Sequence, residues 1–299
     1  MRIFLYEQIT ATYGESHPLY REGRAMRDAL HADLSCIASF ELLEGEFEHC
    51  AAHADGCILI APETGGILES LARHVLDLGG RLFGCSPEAI RHTADKLALA
   101  ELWQRCGVPT PHTQIATADF DTFPVVLKPR DGAGSECTRL VTDRTGELSL
   151  MKRPPIGMIV QPFIPGIPAS IAFLIGPNQI VPLCPTHQRL SDDGCFQYLG
   201  GELPLPPLLA ARAIRLGLTA IAAVPAGLIG YVGVDLILGD AVDGSTDFAI
   251  EINPRLTTSY IGLRAATQAN LAEAMLMLCQ GSPVAKPEWR AGAFRWASD

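Results

Sequence analysis

The feature that most constrains the fold is the alternation of apolar strand-like runs with amphipathic helical segments near the N-terminus. Residues 2–6 and 56–61 are predicted as buried strands, and residues 21–33 and 64–78 as helices. Such alternation favours a small parallel α/β domain of Rossmann-like character, with a third short strand expected at residues 81–84. Ligands bind beyond the carboxyl ends of parallel strands, so the residues that follow the second strand are predicted to form the rim of a pocket.

Beyond residue 86 the pattern changes to short strands separated by turns. A helix is predicted from Ser86 to about Cys106, where Gly107 ends it. The predicted strands that follow are residues 113–117, 123–129, 137–142, 156–163, 169–176, 179–184, 231–239 and 246–252. Further helices are predicted at residues 207–223 and 259–279, and residues 281–299 are expected to be loosely ordered. The chain is therefore predicted to join an α/β domain to an α+β pair.

Composition excludes several classes of protein. The 299 residues carry a formal net charge of −10, which argues against binding to nucleic acid or to an anionic membrane surface. The nine cysteines are scattered without a CxxC motif, as in a cytoplasmic protein with reduced thiols. Glu7 interrupts the N-terminal apolar run too early for a signal peptide. Residues 217–234 lack charge, but Pro225 and several glycines favour a buried helix running into a buried strand over a membrane span.

Two predicted strands near the C-terminus carry the strongest chemical signal. If they form a hairpin that turns at Asp243-Gly244, Asp235 faces Glu251 across an antiparallel pair. Asn253 shares the face of Glu251, because side chains alternate along a strand. Two carboxylates and an amide oxygen make a hard-oxygen site, in which a divalent cation would remove the mutual repulsion of the acids. The alternative is a solvent-facing polar stripe. Arg255 follows and adds a cation suited to phosphate oxygens.

Lysine usage gives a second signal, because the chain has only four lysines. Lys128 lies in an apolar predicted strand, where a solvated lysine is not expected, so an anion is its natural partner. The small residues of the loop at 131–136 let backbone N–H groups close on a phosphate. The alternative is an ordinary hairpin turn beside a lysine that extends its ammonium group to water. Neither a P-loop motif nor a complete GxGxxG motif occurs.

The lysine strand, the glycine-rich loop and the final acidic hairpin, in this order, resemble the ATP-grasp superfamily over roughly residues 86–280. The resemblance implies an ATP-grasp fold preceded by the N-terminal parallel α/β domain. It divides the chain into an N-terminal domain at residues 1–92, a small lobe with the glycine-rich loop at 93–164, and a large lobe with the metal-binding carboxylates at 165–299.

The resemblance also implies roles for individual residues. Arg255 and Lys128 are implied to be catalytic, with Arg255 steadying the transferred phosphoryl group. Mg²⁺, with Mn²⁺ as an alternative, would be held by Asp235, Glu251 and Asn253. The residues implied to bind ATP are Lys96, Lys128, Gly132, Gly134, Ser135, Gln161, Phe163 and Asn253. The residues expected to bind the adenosine part of ATP depart from the family pattern. Gln161 stands where many members have Glu, and residues 164–169 lack the acid that often binds ribose.

Short motifs at residues 60–63, 197–201 and 251–262 narrow the resemblance to the tyramine–glutamate ligases of methanofuran and methylofuran biosynthesis. That group implies an ADP-forming ligase that joins the γ-carboxylate of glutamate to tyramine or tyrosine through an acyl phosphate. The partners would be these small molecules, and a homodimer is common in related folds. The alternatives are a dipeptide ligase of the D-alanine–D-alanine type and a non-catalytic ATP-binding regulatory module.

Several further residues are candidates for contact with substrate. The polar, glycine-containing segment at residues 186–202 is either a lid that excludes water or a surface excursion. Within it, His187 is either a base or simply solvated, and Arg189 is a candidate anion contact. Residues 257–259 either hold a substrate carboxylate or cap the following helix. Glu63 either faces the amine substrate or caps the helix that begins next to it.

Overall fold

Three sheets organise the chain in a computed structural model, which describes residues 1–117, 122–143, 157–225 and 227–297. The strands are β1 (Arg2–Glu7), β2 (Glu41–Leu43), β3 (Gly56–Ile60), β4 (Gln114–Ile115), β5 (Val125–Pro129), β6 (Arg139–Val141), β7 (Met158–Pro162), β8 (Ile167–Ile175), β9 (Ile180–Pro182), β10 (Thr186–Leu190), β11 (Tyr198–Leu203), β12 (Gly230–Leu238), β13 (Phe248–Asn253) and β14 (Phe294–Ala297). The helices are α1 (Gln8–Thr12), α2 (Tyr20–Ser35), α3 (Phe47–His53), α4 (Ile67–Asp77), α5 (Pro87–Ala94), α6 (Lys96–Arg105), α7 (Pro207–Ala222), α8 (Ser259–Ala265) and α9 (Leu271–Cys279).

The N-terminal sheet is parallel, which confirms the sequence-based expectation. Its strand order is β2-β1-β3, and Leu5 pairs with Ile58 at its centre. The prediction of a strand at residues 81–84 is wrong, because that segment makes only a single bridge, between Cys57 and Leu82. β2 is the third strand instead, and its three residues are too few to show a periodicity in the sequence.

Two antiparallel sheets carry the rest of the chain. The smaller has the order β4-β7-β5-β6, and the larger has the order β13-β12-β8-β10-β11-β14 with β9 paired to β8. α7 packs Ala213 and Ala220 against Phe173 and Val232 of the larger sheet, so β12 lies in the core. The uncharged segment at 217–234 is accordingly the end of α7 and the start of β12. Among the described residues, the model contains no helix with the length and apolar character needed to cross a membrane.

Two helices predicted as continuous are each interrupted. The helix expected from residue 86 to residue 106 breaks at Asp95, whose carboxylate accepts two backbone N–H groups and so caps α6. The helix expected at residues 259–279 ends at Ala265, and α9 begins only after Asn270, which caps it. Asp and Asn side chains compete with the helical backbone for its N–H groups, which makes them effective helix starts inside an otherwise helical pattern.

The segment at residues 186–202 is not a loop, because most of it forms the antiparallel hairpin β10-β11. The tail is ordered as well, since β14 pairs with β11 and places Trp296 opposite Gly201. A Cβ atom at Gly201 would collide with the ring of Trp296, so the glycine is required for the close approach. The hairpin is missed because strands rich in glycine and polar residues lack the apolar alternation by which strands are recognised. β14 is missed because its four residues are too few to establish a period.

Candidate active site

The β12-β13 hairpin has the register predicted from the sequence, with Asp235 directly opposite Glu251. Asn253 lies on the same face, and its Nδ2 atom donates a hydrogen bond to Oδ2 of Asp235 at 3.0 Å. The ladder shifts register between Asp235 and Leu236, so the pair sits at an irregularity of the sheet. The hairpin therefore brings two carboxylates and an amide together at one spot.

The two carboxylates have opposite electrostatic environments. Burial raises the pKa of Asp235 to about 7, and the charge of Glu251 adds to this shift. Burial also acts to raise the pKa of Glu251, but the charges of Lys96 and Lys128 outweigh it and lower that pKa. Without a metal, the pair thus favours a state in which Asp235 holds a proton and Glu251 is ionised.

Two lysines face this acidic pair from the small antiparallel sheet and its flanking helix. Lys128 of β5 is only 7% exposed, and burial lowers its pKa to about 8 against the opposing charge of Glu251. Lys96 begins α6, and its Nζ atom lies 3.6 Å from Oε2 of Glu251. The same Nζ donates a hydrogen bond to the carbonyl oxygen of Gly132 at 2.8 Å. The lysine charges are thus held beside both the acids and the glycine-rich loop.

The glycine-rich loop has the backbone conformation that its composition predicts. Gly132 and Gly134 have φ values of +127° and +71°, and Ser135 follows with φ of +56°. Such left-handed positions turn successive N–H groups toward one side, which suits an anion. The loop is also tied to the N-terminal domain, since the N–H of Gly65 donates to Oδ2 of Asp131 at 2.9 Å.

All eleven residues that the sequence and the family resemblance predict for the site line one cavity of about 260 Å³. They are Lys96, Lys128, Gly132, Gly134, Ser135, Gln161, Phe163, Asp235, Glu251, Asn253 and Arg255. The small sheet, the large sheet and the N-terminal domain all contribute to the walls. A cavity with basic groups, a glycine-rich loop and paired acids has the chemistry needed to bind a polyphosphate together with a divalent cation.

Gln161 and Phe163, at the cavity wall formed by β7, are held by contacts within the protein. The Nε2 atom of Gln161 donates to the hydroxyl of Thr113 at 2.7 Å, so this amide is already occupied by the protein. Phe163 stacks on Phe196 with ring centroids 6.1 Å apart. Phe196 belongs to the turn between β10 and β11, and the N–H of Leu140 donates to the carbonyl of Gly194 in the same turn at 2.7 Å. This turn therefore spans from the large sheet to the small sheet across the cavity.

Arg255 is bound by a residue of the N-terminal domain. Its Nε atom lies 3.0 Å from Oε1 of Glu63, and its second terminal nitrogen donates to Oε2 at 3.0 Å. Both side chains are almost fully buried, at 11% and 6% exposed. Glu63 makes no side-chain cap of the following helical turn, so the capping alternative does not hold. Its role is to hold Arg255 at the cavity wall.

Gln188 is a site residue that sequence reasoning missed. Its Nε2 atom donates to Oδ1 of Asp235 at 2.9 Å, so both oxygens of that carboxylate accept hydrogen bonds from amides. The cavity is lined by alternate residues of β10, namely Thr186, Gln188 and Leu190. The residues between them make other contacts: His187 lies 3.4 Å from Glu202, and Arg189 donates to a backbone carbonyl of β11. His187 and Arg189 therefore occupy the opposite face of β10, because side chains alternate along a strand. An alternation count would have found Gln188 if the segment had been assigned as a strand.

The hydroxyl-bearing residues 257–259 also line the cavity. The side chains of Thr257 and Ser259 are engaged with the hydroxyl of Tyr231, at 3.2 Å and 2.9 Å. No side chain caps α8 at its start, so capping is not their function. The hydroxyls of Thr257 and Ser259 thus form a network with Tyr231, whereas the side chain of Thr258 hydrogen-bonds the cavity residue Tyr198.

The acidic pair fits a magnesium ion that shares its remaining ligands with a bound phosphate. The described residues contain no cluster of three or more His, Cys, Asp or Glu side chains that would form an all-protein cage. Mg²⁺ commonly takes one or two carboxylates together with substrate phosphate oxygens, and Asp235 and Glu251 supply that set with the amide oxygen of Asn253 beside them. The raised pKa of Asp235 has its physical cause in burial beside a second acid, and a cation removes that cause.

Comparison with known families agrees with this geometry. The family model of the ATP-grasp domain matches residues 93–259, and that of the pre ATP-grasp 3 domain matches residues 19–90. The chain belongs to the ATP-grasp family.

The relatives give a more particular likeness. A tyramine–L-glutamate ligase of Methanocaldococcus fervens is 31% identical over 222 residues, which cover 74% of this chain and 65% of that protein. The chain thus spans just under two thirds of the length of this relative. The crystal structure of an ATP-grasp superfamily protein from Archaeoglobus fulgidus has a TM-score of 0.74 at 23% identity and covers 99% of this chain and 98% of its own. N5-carboxyaminoimidazole synthetase from Staphylococcus aureus, crystallised with ADP, has a TM-score of 0.69 at 12% identity and covers 96% of this chain and 79% of its own.

Proposed function

We propose that the protein is an ATP- and Mg²⁺-dependent ligase that joins the γ-carboxylate of L-glutamate to the amine of tyramine or tyrosine. The observation that carries the proposal is the convergence of Asp235, Glu251, Lys96 and Lys128 in one cavity beneath the glycine-rich loop. The likeness to a tyramine–L-glutamate ligase supports the choice of substrates. A place in methanofuran or methylofuran biosynthesis is part of the proposal and rests on the short motifs at residues 60–63, 197–201 and 251–262.

The reaction has two steps. A carboxylate oxygen of glutamate attacks the γ-phosphorus of ATP, the bond to the β–γ bridging oxygen breaks, and ADP leaves from an acyl phosphate. The amine nitrogen then attacks the acyl carbon, phosphate leaves with the electron pair of the C–O bond, and the nitrogen loses a proton. The overall products are the amide, ADP and phosphate.

The residues of the cavity contribute mainly charge and position. Lys96 and Lys128 offset the negative charge of the phosphates, and Arg255, held by Glu63, faces the transferred phosphoryl group. Mg²⁺ held by Asp235, Glu251 and Asn253 would neutralise phosphate charge when bound. Each of these groups acts in a partly buried cavity, where an electrostatic interaction is worth more than in water.

An acyl phosphate must be protected from water. The β10-β11 turn crosses the cavity near Phe163 and Phe196, and its hydrogen bond to β6 links the two lobes. We assign to this turn, rather than to the whole of residues 186–202, the exclusion of water that the sequence suggested.

ADP release tests the proposal directly. The protein is incubated with MgATP and L-glutamate, and tyramine or tyrosine is added in turn. ADP that forms together with an amide of the matching mass establishes the ligase and its substrates. Tight MgATP binding without ADP release for either amine removes this substrate assignment and favours a dipeptide ligase or a regulatory ATP-binding module.

A further inference from the structure

Helix α2 of the N-terminal domain places one acidic residue in the cavity. Glu22 and Met26 lie four residues apart, hence on one face of the helix, and both line the cavity. The helix is pressed against the end of β1 at Gly23, where a Cβ atom would lie 2.6 Å from Oε1 of Glu7. The carboxylate of Glu7 is itself fixed, because it accepts the N–H groups that begin α1. The position of Glu22 is therefore set by packing of the N-terminal domain.

The side chain of Glu22 lacks a partner among the residues that the structure describes. Within the described part of the chain, the charged neighbour of opposite sign is Arg255, and that guanidinium is already bound by Glu63. Burial raises the pKa of Glu22, and the charge of Arg255 only opposes this effect. Glu22 is not among the described side chains with a fully buried, unpartnered oxygen, so its half-buried carboxylate is open to the cavity that it lines. Such a carboxylate can accept hydrogen bonds from a positively charged group that enters the cavity.

The other acids of the cavity differ from Glu22: Asp131 accepts the N–H of Gly65, and Glu136 is exposed on the glycine-rich loop. The remaining charged groups have ligands in the proposed function. Lys96, Lys128 and Arg255 face phosphate oxygens, and Asp235 with Glu251 faces the metal. This inference rests on the proposed function, in which each substrate carries a primary ammonium group: the α-ammonium of glutamate, and the ammonium of the amine before it reacts. Among the groups that would enter the cavity, only these ammonium groups complement Glu22.

We propose that Glu22 binds a primary ammonium group of a substrate and thereby positions that substrate against the reacting phosphoryl or acyl group. The carboxylate accepts charge-assisted hydrogen bonds from the ammonium group, and Met26 lies beside the carbon chain that bears it. Glu22 is a binding residue of the N-terminal domain that is distinct from the phosphate and metal residues of the two ATP-grasp lobes.

The test compares the wild type with Glu22→Gln, Glu22→Asp and the exposed control Glu15→Gln. Steady-state ligation gives the KM of tyramine, L-glutamate and ATP, and thermal melting checks that each variant folds. Two neutral substitutes separate the sources of the ammonium group. Hydroxylamine, which is largely uncharged at neutral pH, replaces tyramine as nucleophile, and glutarate, which lacks the α-ammonium, replaces glutamate.

We expect Glu22→Gln to raise the KM of one ammonium-bearing substrate by about 10-fold or more, with the KM of ATP unchanged and Glu22→Asp intermediate. If tyramine is the ligand, ADP release with hydroxylamine is the same in the wild type and Glu22→Gln. If glutamate is the ligand, the variant no longer distinguishes glutamate from glutarate. Unchanged KM values for both substrates in a ligating, folded Glu22→Gln overturn the inference alone. A wild type that releases ADP with none of tyramine, tyrosine and hydroxylamine overturns the proposed function, and the inference with it.

Discussion

The guanidinium of Arg255 and the carboxylate of Glu63 form a nearly buried ion pair that joins the last acidic hairpin to the N-terminal domain, with Nε 3.0 Å from Oε1. Glu63 follows β3, at the carboxyl edge of the parallel sheet, where the strand pattern predicts a ligand pocket. The N-terminal domain therefore takes part in the site through an ion pair as well as through packing.

Replacement of Glu63 by Gln should reduce both stability and turnover. Arg255 would keep its buried charge without compensation, and breaking one side of a buried pair costs about 3 kcal/mol. Denaturant unfolding measures the loss, and kcat measures the misplacement of Arg255. The matched control is Glu69→Gln, which removes an exposed pair with Arg73 and should cost less than about 0.5 kcal/mol. Equal losses in the two variants would contradict a structural role for the Glu63 pair.

Replacement of Glu251 by Gln should abolish turnover without unfolding the protein. One of the two negative charges that face the metal is lost, and Lys96 and Lys128 lose the carboxylate that opposes their charge. We expect kcat to fall by at least about 100-fold and the thermal midpoint to fall modestly, with unfolding still cooperative. Activity assays over a Mg²⁺ titration, combined with calorimetry, give both values. A Glu251→Gln protein with unchanged Mg²⁺-dependent turnover would falsify the metal assignment.

Gln188 and Arg189 provide a test of the β10 face. Gln188→Leu removes the hydrogen bond to Asp235 and should lower kcat/KM by about 10- to 100-fold, as is usual when the group that orients a metal ligand is lost. Arg189→Gln should leave kcat/KM nearly unchanged, because that side chain lies on the opposite face and binds a backbone carbonyl. The reverse result would mean that β10 has the other register.

The pKa of Asp235 predicts an unusual dependence of stability on pH. Burial, together with the charge of Glu251, raises this pKa from 3.8 to about 7 in the folded protein. A raised carboxyl pKa means that the folded state binds the proton more tightly than the unfolded state does. The stability gained from this proton is fully present at low pH and is lost as the pH rises through about 7. We expect the difference in stability between Asp235→Asn and the metal-free wild type to grow in favour of the variant between about pH 5 and about pH 8. Saturating Mg²⁺ should shrink that difference, because it favours the ionised wild-type carboxylate; thermal melts with EDTA and with Mg²⁺ measure both effects.

Gly262 tests how the last strand is packed. Helix propensity alone predicts that Gly262→Ala in α8 is stabilising by up to about 1 kcal/mol. The structure predicts the opposite, because a Cβ atom there would collide with the indole ring of Trp296. We expect the free energy of unfolding to fall by about 1–3 kcal/mol. The KM for substrate should also rise, because Nε1 of Trp296 donates to the hydroxyl of the cavity residue Tyr198 at 2.9 Å. Gly14→Ala, which meets no atom within 4 Å, is the control and should be nearly neutral.

Local sequence determines those parts of the protein in which neighbours along the chain are neighbours in space. A strand has a period of two residues and a hairpin has a midpoint, so the positions of Asp235, Glu251 and Asn253 follow from counting outward from Asp243-Gly244. Lys128 is likewise recognisable, because a lysine conflicts with an otherwise apolar strand, and the glycine-rich loop follows it directly in the chain.

Tertiary structure decides what distant segments do to one another. The polar strand β10 carries no apolar alternation, so Gln188 could be placed beside Asp235 only once its neighbours in the sheet were known. Trp296 orders the tail by packing on Gly201 and Gly262, which are distant in the chain, and nothing in its own segment signals that contact. Glu22 reaches the cavity, and Glu63 reaches the cavity residue Arg255, because the N-terminal domain packs against the hairpin. A contact between residues far apart in the chain leaves no periodic trace in a single sequence.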